Sequence, residues 1–148
     1  MDTKHAALYC RTSTNLQTTG LEAQVLALKT FCKNNQIENF RVYSDEGISG
    51  TKANRPELDR LMAAVKQGQI PSVIVYSFSR SARSVTHLLE GLKKFDENGV
   101  AFISISENLD TRTSTGRFVF TILAALASLE RFERMRSNKN PITMVALK

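Results

Sequence analysis

Val73-Ile74-Val75-Tyr76 is apolar at every position. A run of this kind reads as a strand covered on both faces, which is the central place in a parallel sheet. The surrounding chain supplies neighbours for it. Ala6-Ala7-Leu8-Tyr9 reads as a first buried strand, Phe40-Arg41-Val42-Tyr43 alternates as a second, and Val100 to Ile105 gives a fourth. Between them lie helical patterns. Leu21 to Asn34 carries Leu21, Val25, Leu28 and Cys32 at helical spacing. Asn54-Arg55-Pro56-Glu57 reads as a helix start, with Asn54 as the cap, Pro56 in the first turn and Glu57 placed to reach back to the cap. Leu58, Leu61, Met62 and Val65 form that helix's apolar face, and Gly68 ends it. Ser81 or Ser84 opens the next helix, whose stripe is Val85, Leu88, Leu89, Leu92 and Phe95 and whose stop is Asn98-Gly99.

Strands alternating with helices predict an α/β domain with a mainly parallel sheet. The polar stretches Thr14 to Gly20, Ser44 to Ala53 and Glu107 to Thr113 read as loops. The longest element runs from Ser114 to about Arg136, a helix of about 34 Å. Phe118, Val119, Ile122, Leu123, Leu126, Leu129 and Phe132 recur along it at three and four, while Ala124, Ala125 and Ala127 permit close approach. That apolar face either packs on the sheet or is shared with a second subunit. A four-stranded sheet cannot cover the whole helix, so the second reading is favoured for its distal half. Pro141 rules out unbroken continuation.

At 148 residues the chain is long enough for one domain with a proper core, and a formal net charge of +6 leans it towards a polyanionic partner. Cys10 and Cys32 fall in a strand and a helix and read as buried free thiols of a reducing compartment. The sequence has no CxxC, no clustered histidines and no apolar run of membrane-spanning length, and Met1-Asp2-Thr3-Lys4-His5 is not a signal peptide. A cytoplasmic protein without metal, cofactor or membrane attachment is expected.

Parallel sheets carry their sites at the carboxyl ends of the strands. Two segments rich in arginine and serine fall there: Arg11-Thr12-Ser13 after the first strand and Ser79 to Arg83 after the third. A hydroxyl among guanidiniums suits attack on a phosphodiester, the hydroxyl as nucleophile and the cations holding the phosphate and its growing charge. Each residue also has a plainer reading. Ser13 alone is an ordinary loop or cap serine, and neither His5 nor His87 is placed to activate it. Arg80 and Arg83 alone are a solvated basic turn, and Gly47-Ile48-Ser49-Gly50 a plain loop. Glu130-Arg131 and Glu133-Arg134 alone are surface ion pairs. Arg55 opposes the macrodipole of the helix that follows it, so it asks for Asp45, Glu46 or a bound phosphate as partner.

Taken in order, Tyr9-x-Arg11-x-Ser13, Gln17, Gln24, the Asp45/Glu46 to Ser49-Gly50 loop, Asn54-Arg55-Pro56, Ser79-Arg80-x-x-Arg83, Thr115-Gly116 and Glu130-Arg131 resemble the serine recombinases of the resolvase/invertase family. The resemblance runs from about residue 5 to 134. It implies a flavodoxin-like three-layer sandwich with a four- to five-stranded sheet, followed by a long dimerisation helix. Its catalytic domain would span residues 1–137, with the sheet core at about 4–106 and the long helix at about 114–136. It implies that Ser13 attacks double-stranded DNA to give a 5′-phosphoserine linkage, with Arg11, Arg80 and Arg83 on the scissile phosphate. Tyr9, Gln17, Gln24, Ser49, Arg55 and Arg131 would support them. Exchange and religation would need neither ATP nor metal. Homodimers would form through the Ser114–Arg136 helix and pair into a tetramer at synapsis, in the bacterial cytoplasm at the nucleoid.

The sequence departs from the family pattern in three places. Ser79 stands where an aspartate is common, the stretch from Met135 to Asn138 lacks a second Glu-Arg pair, and residues 138–148 are expected to be a short tail without a DNA-binding domain. Two rivals follow: a non-catalytic dimerising or regulatory remnant of the same fold, and an unrelated flavodoxin-like phosphate or nucleotide binder using Thr12-Ser13-Thr14-Asn15.

Overall fold

The computed structural model of the chain describes residues 4–11, 18–45, 55–78 and 85–139. Its elements are β1 (Ala6–Arg11), α1 (Thr18–Asn34), β2 (Phe40–Asp45), α2 (Pro56–Lys66), β3 (Ser72–Val75), α3 (Val85–Glu97), β4 (Ala101–Ser104), β5 (Leu109–Asp110) and α4 (Ser114–Lys139). The sheet order is β2-β1-β3-β4-β5. The first four strands run parallel, and β5 adds an antiparallel edge beside β4. The apolar run of β3 thus sits at the centre of the sheet, as its composition predicts.

The pleat divides the core in two. Ala6, Leu8, Cys10, Ile74 and Ile103 point to one face and pack with Leu21, Leu28 and Cys32 of α1. Ala7, Tyr9, Tyr43, Val73, Val75 and Phe102 point to the other, where α2 brings Leu61 and Val65, α3 brings Leu88 and Phe95, and α4 brings Phe120 and Leu123. The result is three layers, helix on sheet on helices. Both cysteines are free and buried, and burial pushes the Cys10 thiol up to about 12. No helix among the described residues is long and apolar enough to cross a membrane.

The turn signals hold at two helix ends. Gly68 and Gly99 take positive φ values of 75° and 69° just past α2 and α3, the left-handed conformation that glycine adopts most cheaply. Elsewhere the structure corrects the sequence reading. The Glu107 to Thr113 stretch is not all loop: β5 lies within it, carrying the sheet past residue 106. The last helix extends to Lys139 rather than Arg136. The first begins at Thr18 rather than Leu21.

Helix α4 is rooted by a cap and a close approach. Thr113 Oγ1 accepts from the Gly116 amide at 3.0 Å and donates to the Asp110 carbonyl at 2.8 Å. A Cβ on Gly116 would lie 2.0 Å from that same carbonyl oxygen, so only glycine fits. Beyond the root, Phe120 meets Phe102 edge-on with ring centroids 6.1 Å apart.

A candidate phosphate-handling site at the carboxyl edge

Residues two apart on a strand share a face, so Tyr9 and Arg11 of β1 point the same way. The β1–β2 register sets Tyr43 opposite Tyr9 and Asp45 opposite Arg11. Tyr9 and Tyr43 both belong to the α2-side core, and Arg11 and Asp45 continue that side at the strand ends. Helix α2 starts beside them, with Arg55 as the residue before its first turn. Three separate stretches of chain thereby converge on the edge where β1 ends.

Asp45 is the hub of this group. Its Oδ2 accepts the Tyr9 hydroxyl at 2.9 Å and the Leu58 amide at 3.1 Å, and its Oδ1 accepts the Glu57 amide at 3.0 Å. Those amides belong to the second and third residues of α2, whose first, Pro56, has no N–H to satisfy. Asp45 therefore caps α2 from a neighbouring strand. The cap expected from Asn54 and Glu57 is replaced: the residue at the cap position is Arg55, which makes no side-chain cap bond, and the Glu57 carboxylate pairs instead with Arg60 at 2.9 Å. Asn54 itself lies outside the described residues. A carboxylate at this helix end also suits the macrodipole and offsets the cation that opposes it.

Asp45 and Arg55 are each 2% exposed. Burial raises the Tyr9 pKa, the Asp45 carboxylate raises it further by its charge and its hydrogen bond, and the positive charges of Arg55 and Arg11 pull it back only in part. Tyr9 is thus a fixed neutral donor, committed to Asp45. The guanidiniums of Arg11 and Arg55 and the Asp45 carboxylate all act on Tyr9, so both cations lie at this edge. Its chemical capacity is to hold an oxyanion and stabilise charge developing on it.

The structure accordingly brings together Tyr9, Arg11 and Arg55 from the expected set, and Gln24 is buried near the start of α1, the helix that leaves the same edge. Ser13, Gln17, Ser49, Arg80, Arg83 and the side chain of Arg131 lie outside the described residues, as does Ser79. The sequence offers Asp45 as a possible partner for Arg55 and as the start of the loop to Gly50, not as a cap or a tyrosine acceptor. Its dual service as cap and tyrosine acceptor depends on strand register, which local sequence does not encode. Among the described residues there is no group of three or more His, Cys, Asp or Glu side chains arranged to hold a metal.

Comparison with known proteins decides the family. The sequence profile described as "Resolvase, N terminal domain" matches residues 6–140. The chain belongs to this family. It is 44% identical over 86 residues to the Transposon Tn917 resolvase of Enterococcus faecalis, covering 58% of this chain and 46% of that protein. It is 32% identical over 123 residues to the serine recombinase gin of Escherichia phage Mu, covering 83% and 58%. Among solved structures, a resolvase family site-specific recombinase from Streptococcus pneumoniae superposes with a TM-score of 0.81 at 29% identity, covering 98% of this chain and 99% of that one. The N-terminal catalytic domain of TP901-1 integrase gives 0.77 at 31% identity, covering 88% and 99%. The α/β fold with its mostly parallel five-stranded sheet is that of these catalytic domains. The chain spans about half the length of the curated relatives it matches.

Proposed function

We propose that this resolvase-family chain is the catalytic part of a serine site-specific DNA recombinase. Ser13 Oγ attacks a backbone phosphorus of double-stranded DNA. The new Oγ–P bond replaces the bond to the 3′ oxygen, which leaves with its electron pair and takes up a proton equivalent to the one the serine gives up. The product is a 5′-phosphoserine linkage and a free 3′-hydroxyl. The reverse step, with an exchanged 3′-hydroxyl, reseals the strand and conserves the bond energy, so neither ATP nor metal is required. Arg11, Arg80 and Arg83 hold the scissile phosphate, with Tyr9, Gln17, Gln24, Ser49, Arg55 and Arg131 in support. Phosphoryl transfer of this kind depends on positioning and charge stabilisation more than on covalent help, and fixed arginines supply both.

One observation carries the reading: Arg11, two residues from Ser13 in sequence, shares the carboxyl edge with the buried Arg55 and the Tyr9–Asp45 pair that fixes their surroundings. The names of the relatives, resolvase and serine recombinase, point the same way. We further propose a homodimer through the Ser114–Arg136 part of α4, supported by its exposed apolar side chains, with two dimers joining at synapsis. A DNA substrate implies a cytoplasmic location.

The test is covalent trapping. Wild-type protein on a pool of nicked suicide duplexes is expected to form a protein–DNA adduct that survives denaturation, and Ser13→Ala to form none. Adduct at the wild-type level from Ser13→Ala would remove the serine from its role.

A further inference from the structure

A second carboxylate ties together the exits of β3 and β4. Glu107 lies in the turn after β4, and its Oε2 accepts the Ser77 hydroxyl at 2.8 Å. Its Oε1 accepts the Ser104 hydroxyl and lies 3.3 Å from the Phe78 amide nitrogen, which also donates to Ser104 Oγ at 3.0 Å. Ser77 and Ser104 are both buried. Backbone bonds prolong the pairing past the strands: Ile105 donates to the Val75 carbonyl at 3.0 Å and Ser106 to the Tyr76 carbonyl at 2.7 Å. The two chains are therefore joined without Glu107. What the carboxylate adds is a fixed direction for Ser77 and Phe78 as the chain leaves the sheet.

That direction has a consequence under the proposed function. Phe78 is followed by Ser79 and then by Arg80, with Arg83 three residues on. Arg80 follows Phe78 by two residues, a reach of about 7 Å at most, so the direction in which Phe78 leaves the sheet bears on where that cation can go. Misplacement of about 1 Å in a transfer site can cost ~10²-fold in rate. We infer that Glu107 is a positioning residue for Arg80 and Arg83, acting through the Ser77 hydroxyl and the Phe78 amide to set where the chain carries these cations. The inference rests on the recombinase reading for its effect on chemistry, but not for the latch itself. The charge state of Glu107 suits the role. Burial pushes its carboxyl up, yet the hydroxyls of Ser104 and Ser77 and the Phe78 amide outweigh that and hold it below the usual range. It stays ionised, acceptor only, through neutral pH.

Two measurements on the full chain test this. In amide hydrogen exchange, Glu107→Ala is expected to speed exchange of the Phe78 amide at least tenfold while peptides from α1 and β2 keep the wild-type rate. In trapping on the nicked duplex pool, the first-order rate of adduct formation at saturating DNA is expected to fall ~10²-fold, with the half-saturating DNA concentration unchanged. Glu107→Gln, which keeps the shape and one acceptor oxygen, is expected to recover at least tenfold of that loss. A merely structural role would lower the amount of folded protein, and hence the adduct yield, without changing the rate constant. If Glu107→Ala does not fold, Ser77→Ala removes one arm of the latch and is expected to show the same pattern more weakly. Unchanged exchange at the Phe78 amide, or an unchanged rate constant in a protein whose adduct depends on Ser13, overturns the positioning role. A wild-type chain with no Ser13-dependent adduct fails the recombinase reading instead, and exchange alone then decides the latch.

Discussion

At the carboxyl edge of β1 and β2, a carboxylate and a guanidinium are each 2% exposed, whereas along α4 the side chains of Phe118 and Phe132 are 65% and 57% exposed. The first region buries charge and the second shows apolar surface to solvent, so each inverts the usual distribution of residues. The reasons differ. Buried charge is tolerable at the edge because Asp45 is fully engaged by Tyr9 and two helix amides, with Arg11 and Arg55 close enough to act on Tyr9. Asp45 therefore finds its partners within one chain. Among the described residues the α4 surface has no such internal account. Phe120 and Leu123 turn inward to the core, while Phe118, Ile122, Leu126, Leu129 and Phe132 remain exposed. At 100° per residue these five fall within an arc of roughly 120° on the side away from the inward pair. The helix has two apolar faces, and among the described residues only one is packed against the rest of the chain.

The difference is broken most severely at Asp45. Asp45→Ala removes the acceptor of two α2 amides and of the Tyr9 hydroxyl, and takes away the buried negative charge that acts on Tyr9 alongside Arg11 and Arg55. The expected loss is about 3–5 kcal/mol in urea unfolding, the range for uncovering buried charge. Asp45→Asn should lose less, because it keeps an acceptor and the shape. A loss below about 1 kcal/mol for alanine would mean that the edge is wetter and looser than its burial implies.

Next comes the root of α4, which decides how firmly the second region is held to the first. Gly116→Ala places a methyl 2.0 Å from the Asp110 carbonyl oxygen, so the turn after β5 or the first turn of the helix must move. Overpacking against backbone predicts a loss of roughly 1–3 kcal/mol. Thermal melting checks it. An unchanged melting temperature would show that α4 pivots on a yielding root.

How much of this was legible in the sequence follows from the range of the interactions. The four apolar residues at 73–76 announce a central strand because covering both faces leaves no room for a polar side chain. Gly68 and Gly99 mark helix ends because left-handed backbone is a local demand. Arg11 could be placed at a strand's carboxyl end, and Arg55 singled out as a cation at the wrong end of a helix, by equally local reasoning. The Asp45 hub was not legible as a hub. Its partners Tyr9 and Glu57 are 36 and 12 residues away and meet it only through the β1–β2 register. Strand β5 was missed because two residues, Leu109 and Asp110, are too few to show alternation. The Glu107 latch was missed for a related reason: a polar turn reads as solvent-facing until the neighbouring strand exit is laid beside it. The apolar stripe of α4 was visible as residues, but its division into an inward and an outward face needed the position of the sheet.

The smallest expected effect on the folded chain is also the sharpest test of the comparison. Ile122→Glu together with Leu129→Glu changes two side chains that are already about half in water, at 46% and 52% exposed. Monomer stability at low protein concentration should shift by no more than about 0.5 kcal/mol, as for surface substitutions elsewhere. Association is expected to respond very differently. A dimer seam that buries this stripe must desolvate two carboxylates per subunit, brought close to their symmetry copies in an isologous contact. Sedimentation equilibrium of the wild type is expected to show a concentration-dependent dimer, and the double variant a monomer throughout. If both sediment alike, the outward face is not a seam between copies. If instead the variant loses several kcal/mol as a monomer, those side chains pack within the chain, and the contrast between an internally partnered Asp45 and an incomplete helix disappears.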